Sequence, residues 1–160
     1  MKKALLLFAA LLVAGCGEKS SSEGSESLSD ADVERLLKEA VDFDSLQERN
    51  DQEGNEVYFQ PNESEPFSGW AKSMYDSGQV KGLGQFKDGN QVGLFTVWRE
   101  NGQKEGERTF KDGKRDGLTT TWHENGQKSA EKTYKDGKRV SAKYWNSKGE
   151  EVETYQESKK

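Results

Sequence analysis

GLFTVWRENGQKEGERTFKDGKRD, residues 93–116, runs without a break into GLTTTWHENGQKSAEKTYKDGKRV, residues 117–140. These are one 24-residue unit written twice. A fixed period of this size marks a repeat array. Working outward in both directions, an aromatic or near equivalent returns about every twelve residues: Met74, Phe86, Trp98, Phe110, Trp122, Tyr134 and Trp145. A glycine follows each by three or four residues, at Gly78, Gly89, Gly102, Gly113, Gly126, Gly137 and Gly149. Asn-Gly and Asp-Gly pairs favour tight reversals between antiparallel strands because they tolerate positive φ. Between reversals the residues alternate, with Leu94, Thr96 and Trp98 on one side and Phe95, Val97 and Arg99 on the other. That is the period of a strand. The reading is mainly β: a single-layer antiparallel meander of about 24-residue repeats.

A second glycine series, Gly69, Gly82, Gly93, Gly106 and Gly117, continued by Ala130 and Ser141, lies four or five residues before each aromatic. Glycine inside a strand is unfavourable by roughly 0.5–1 kcal/mol relative to alanine. Its recurrence predicts that a ring from the neighbouring strand lies across bare backbone. The aromatics are then expected to form one stacked face, as an internal spine or as a platform open to a partner. The other face, read from Thr119, Thr121, Thr109, Glu107, Thr133 and Glu131, is expected to be solvated.

The runs GQVKGLGQFKDGN, ENGQKEGERTFKDGKRDG and ENGQKSAEKTYKDGKR resemble the MORN repeat variant, as in the YwqK family of toxin–antitoxin antitoxins. The resemblance covers about Pro66 to Trp145 and departs at Val140 and Ser141, where Asp-Gly is replaced and the unit is one residue short. It implies an extended β-sheet without catalytic residues, and a possible role as an inhibitor that neutralises a toxin by contact.

Before the array, Ser29-Asp30-Ala31-Asp32 and VERLLKEAV predict one short helix capped by Ser29 or Asp30. Val33, Leu36, Leu37, Ala40 and Val41 form its apolar stripe, which needs a surface to pack on. Leu46–Arg49 and Val57–Gln60 read as two leading strands around a polar loop, with a turn at Pro61-Asn62-Glu63.

The first sixteen residues, MKKALLLFAALLVAGC, have two lysines, an apolar run and small residues before the chain's single cysteine. This is the pattern of an export signal, too short to span a membrane as a mature helix. Its ending resembles the bacterial lipobox, which implies acylation of Cys16 and attachment to a membrane. Gly17 at the next position favours the outer membrane if the cell is Gram-negative. The expected organisation is a signal peptide over 1–15, a polar tether over 16–29, the helix and leading strands over 30–66, and the repeat sheet with a C-terminal cap over 67–160.

Charge is uneven. Residues 16–66 carry 15 acidic and 4 basic side chains, a net of −11, whereas residues 67–160 carry 14 and 18, a net of +4. The acidic segment either folds against the array or the array meets an acidic partner. The lysines alternate with glutamates, so nucleic acid is not expected as a partner.

No catalytic constellation is present in the sequence. His123 is the only histidine, and the equivalent places hold Tyr75 and Arg99, so it reads as a surface residue. Gly82-Leu83-Gly84 lacks the third glycine of a dinucleotide loop. Asp30, Asp32 and Glu34 open like a calcium loop, but Arg35 stands where its turn glycine belongs. No metal, cofactor or small-molecule substrate is expected. The sequence reads as a non-enzymatic, lipid-anchored binding or scaffold module of the cell envelope, with a protein or glycan partner.

Overall fold

The computed structural model describes residues 27–51 and 54–159. Helix α1 (Asp30–Glu39) starts where Ser29 accepts the Asp32 amide proton. It ends two residues earlier than the apolar stripe suggests, because Val41–Asp42 pairs as strand β1, parallel to β4 (Gly69–Met74). A 3₁₀ turn (Phe43–Ser45) leads to the hairpin β2 (Gln47–Asn50) and β3 (Glu56–Phe59), close to the two leading strands expected. The array follows as β5 (Val80–Lys87), β6 (Asn90–Trp98), β7 (Lys104–Lys111), β8 (Lys114–Trp122), β9 (Lys128–Lys135) and β10 (Lys138–Trp145). A short β11 (Glu151–Val152) and helix α2 (Tyr155–Ser158), which the sequence reading did not foresee, close the chain. From β4 onward the sheet order equals chain order, and every pairing is antiparallel. This is the expected meander.

Two kinds of reversal alternate. At Asp88-Gly89, Asp112-Gly113 and Asp136-Gly137 both residues have positive φ, between 47° and 78°, the mark of a two-residue type I′ turn. At Gly78, Gly102, Gly126 and Gly149 the glycine alone is left-handed, with φ of 81–83°. There the loop is longer: the Gly102 N–H donates to Arg99 O, and the Arg99 N–H to Gln103 O. This is a three-residue loop with a glycine bulge.

The 24-residue period is held by ties that reach over an intervening strand. The Gly89, Gly113 and Gly137 N–H groups donate to Phe67, Gln91 and Arg115 carbonyls at 2.8–3.0 Å. Along the opposite edge, Tyr75 Oη donates to Trp98 O (3.0 Å), Arg99 Nη2 to Trp122 O (2.7 Å) and His123 Nε2 to Trp145 O (2.8 Å). A carbonyl only accepts, so Nε2 carries the proton. His123 is therefore a strut between repeats, and its unlike equivalents Tyr75 and Arg99 do the same job with different donors.

The register corrects one expectation. Paired residues share a face, and in these hairpins an even-numbered residue sits opposite an odd one: Phe86↔Gln91, Gly93↔Phe110, Phe110↔Arg115, Gly117↔Tyr134. Two aromatics twelve apart on adjacent strands have equal parity, so they point to opposite faces. Phe86, Phe110 and Tyr134 lie on one face; Met74, Trp98, Trp122 and Trp145 lie on the other. There is no single aromatic spine. Thr119 and Thr121 likewise share the face of Phe110, while Glu107, Thr109, Glu131 and Thr133 share that of the tryptophans.

Helix α1 covers the tryptophan face at its leading end, where Leu36 and Ala40 bury against Leu83 and Trp98, with Trp70 and Val80 beside them. We call this the helix face. On the other face, Phe67, Ala71 and Phe86 form a second cluster under Val41, Leu46 and Tyr58, and Phe43 adds a ring 5.3 Å from Tyr58. The helix is thus placed on the sheet as its stripe requires, but it shields only the first strands.

The glycines of the second series have different reasons. At Gly84 and Gly82 a β-carbon would lie 2.6 and 3.1 Å from the Phe95 ring, as the ring-over-backbone reading predicts. Gly106 would meet only Thr120 O at 3.5 Å and a Thr121 methyl at 3.6 Å, which is ordinary contact. Ala130 already occupies the equivalent position one repeat later. Gly106→Ala is therefore expected to raise stability by about 0.5–1 kcal/mol. A urea midpoint that fell instead would show a hidden constraint on that strand.

Candidate interaction face

The face of Phe110 is built by cross-strand rows. One runs Phe95, Arg108, Thr119, Lys132, Ala142 across β6 to β10; a second joins Phe110 to Arg115; a third runs Val97, Gly106, Thr121, Ala130, Tyr144. Cations and rings interleave. The Arg108 guanidinium lies 5.9 Å from the Phe95 ring centre, and Phe95 meets Phe110 edge to face at 6.3 Å. Arg115 sits 5.2 Å from the Tyr134 ring and donates to its hydroxyl at 3.3 Å. Lys132 stands between Tyr144 and Tyr155, 5.6 and 5.4 Å from their centres. Such contacts are weakly attractive, about 0.5–1 kcal/mol at exposed sites. They fix where the charges sit without neutralising them.

The helix face handles its cations differently. Lys104 pairs with Glu107 at 2.7 Å, Lys128 pairs with Glu131, and Lys143 lies 3.8 Å from Glu151. Among the described residues, no carboxylate forms an ion pair with Arg108, Arg115 or Lys132. Burial, and then the like charge of Arg115, hold the Arg108 guanidinium below its usual range, against the opposite charge of Glu105. Thr119, 4% exposed beneath this row, has an Oγ1 with no hydrogen-bond partner among the described residues. The Phe110 face is therefore cationic and ring-studded. Elements stand on it at both ends: the 3₁₀ turn and β2–β3 hairpin over β5, and α2 over β10, where Tyr155 stacks 6.0 Å from Tyr144. Between them β6 to β8 are uncovered, with Lys132 of β9 at the margin against Tyr155, and we call this the open face.

Of the residues expected from sequence to form one site, the open face keeps only Phe110 and Tyr134 at its centre, with Phe86 under the hairpin. Trp98 is 7% exposed and belongs to the core. Trp122 and Trp145 are partly covered on the helix face, and Met74 is exposed at its margin. The seven turn glycines lie in the reversals. Cys16 lies outside the described residues. Sequence reading missed Phe95, Arg108, Arg115 and Lys132, although hairpin parity, once applied to the type I′ turns, groups them.

A depression of about 670 Å³ lies beside Trp122, His123, Asn125 and Tyr155. Its one histidine donates Nε2–H to Trp145 O, and among the described residues no hydrogen bond joins it to the hydroxyls of Ser129, Ser147 or Ser158 that line the same depression. The described residues contain no group of three or more His, Cys, Asp or Glu placed to hold a metal ion.

These features define a hairpin-repeat sheet with an unneutralised face, a form suited to surface binding. Two segments, residues 91–112 and 115–136, match the MORN repeat variant family. Each begins in one strand, passes through a three-residue glycine loop and ends in the following Asp-Gly turn, so the matched unit is one hairpin. The strands on either side continue the same ties. No curated protein and no solved structure matches the chain. Repeats of this kind are generally non-catalytic modules of membrane or protein binding.

Proposed function

We propose that this protein is a lipid-anchored binding or scaffold module of the cell envelope, which engages a partner protein through the open face. The observation that carries this reading is the charge asymmetry of one sheet: Lys104, Lys128 and Lys143 on the helix face pair with carboxylates, whereas Arg108, Arg115 and Lys132 on the open face lie against aromatic rings. The sequence at Cys16 supports the anchor. Ser27, whose hydroxyl donates to Glu107 at 2.8 Å, lies on the helix face. The described chain so begins on the side away from the open face, and the ten residues between Cys16 and Ser27 can span at most about 35 Å. The antitoxin-like reading is the narrower case in which the partner is a toxin, and identification of the partner decides it.

Two measurements test the proposal. Cys16→Ala is expected to abolish incorporation of a fatty-acid analogue; persistent labelling would overturn the anchor. A photoreactive amino acid at Phe110 is expected to yield a partner adduct in the native membrane. The same group at Leu118, exposed on the helix face, is expected to yield none. Adducts from Leu118 alone would refute the assignment of the open face.

A further inference from the structure

We propose that the open face is a docking site for an acidic segment of polypeptide, one with spaced aspartates or glutamates and apolar side chains between them. This rests on the reading above that the open face is the interaction surface. Three features of the face specify the partner's chemistry.

The first is charge. Arg108, Arg115 and Lys132 occupy adjacent strands on one face without carboxylate partners among the described residues, while their counterparts Lys104, Lys128 and Lys143 on the other face are paired. Arg108 is half-buried against Phe95 and beside the like charge of Arg115, and the charge of Glu105, which forms no ion pair with it, only partly offsets these penalties. An incoming carboxylate relieves both penalties and matches the planar fork of arginine.

The second is spacing. Phe95, Phe110 and Tyr134 stand between the cations, so apolar surface alternates with positive charge at the scale of one strand separation, roughly 5 Å. A polypeptide in extended form alternates its side chains at a comparable scale.

The third is shape. The uncovered strip spans β6 to β8, roughly 10–15 Å, and is bounded by the β2–β3 hairpin at one end and, at Lys132, by Tyr155 of α2 at the other. An extended segment of about four residues crosses such a strip. A flat bilayer does not reach its floor. A nucleic acid calls for a concentrated basic patch, whereas the array's net charge is only +4 and its lysines alternate with glutamates.

The test uses the full chain in detergent and a fluorescent decapeptide of alternating glutamate and leucine, with the glutamine–leucine peptide as its uncharged control. The glutamate peptide is expected to bind, more weakly as salt rises, and the control to bind at least tenfold less tightly. Arg108→Gln/Arg115→Gln is expected to weaken binding of the glutamate peptide at least tenfold. Its melting midpoint should not fall, since two like charges are removed. Lys104→Gln/Lys128→Gln, on the helix face, is expected to stay within twofold. Equal binding of the two peptides, or equal loss in both double variants, would overturn the inference. So would an oligonucleotide, or vesicles of anionic lipid, that displaced the peptide and showed the larger dependence on Arg108 and Arg115. A photo-adduct from Phe110 to a partner without an acidic segment would sink this inference and leave the proposed function standing. Absence of any adduct from Phe110 would remove the proposed function itself.

Discussion

Replacing Trp98 by alanine is expected to destabilise the protein by about 3–5 kcal/mol, the range for removing a large buried ring. Trp98 is 7% exposed and packs with Leu36, Ala40 and Leu83, so the lost ring leaves a cavity between α1 and the sheet. Trp122 occupies the equivalent place one repeat later, but α1 does not reach it. Trp122→Ala is expected to cost about 1 kcal/mol, as for a partly exposed position outside a core cluster. Sequence equivalence alone predicts that the two variants behave alike. Chemical denaturation of both, with acrylamide quenching of the remaining tryptophans, measures the difference. Equal midpoints would mean that α1 does not shield Trp98.

Gly117→Val is expected to destabilise by about 3 kcal/mol, combining a left-handed backbone with overpacking. Gly117 has φ of +109°, and an added β-carbon would lie 3.2 Å from the Thr109 β-carbon. It sits in the bulge where Arg108↔Thr119 gives way to Phe110↔Arg115, so β8 gains two residues on β7. The same bulge sets Arg115 beside Tyr134. The substitution should therefore disturb the open face as well as the melt. Gly106→Val, although drawn from the same glycine series, avoids the backbone strain and is expected to lose less. Thermal melts of the pair order them, and a smaller loss at Gly117 than at Gly106 would contradict the register.

Much of this protein was legible in its sequence. The 24-residue period, the Asn-Gly and Asp-Gly reversals and the strand alternation determined an up-and-down meander, since each is a local property of a few neighbouring residues. The Ser29 cap and the stripe from Val33 to Ala40 likewise determined a helix that needs a surface. Local patterns also pointed to non-catalytic binding, because no base, nucleophile or metal set recurs within reach of another residue.

The faces were decided only by tertiary structure. Side-chain direction along a strand follows residue parity, but its relation to the next strand depends on how many residues each turn and bulge consumes. A two-residue type I′ turn at Asp88-Gly89 and a bulged loop at Gly102 fix that count. They divide a series that looks uniform in sequence between two surfaces, Phe110 and Tyr134 on one, Trp98 and Trp122 on the other. The reach of α1 was equally invisible, since nothing local to Trp98 or Trp122 says that a ten-residue helix covers the first and stops short of the second. The charge pattern needed the same information. Lys104 and Glu107 are three apart in sequence and share a face only because the bulge at Glu105 adds a residue to β7, whereas Arg108, next to Glu107, points to the other side and forms no ion pair.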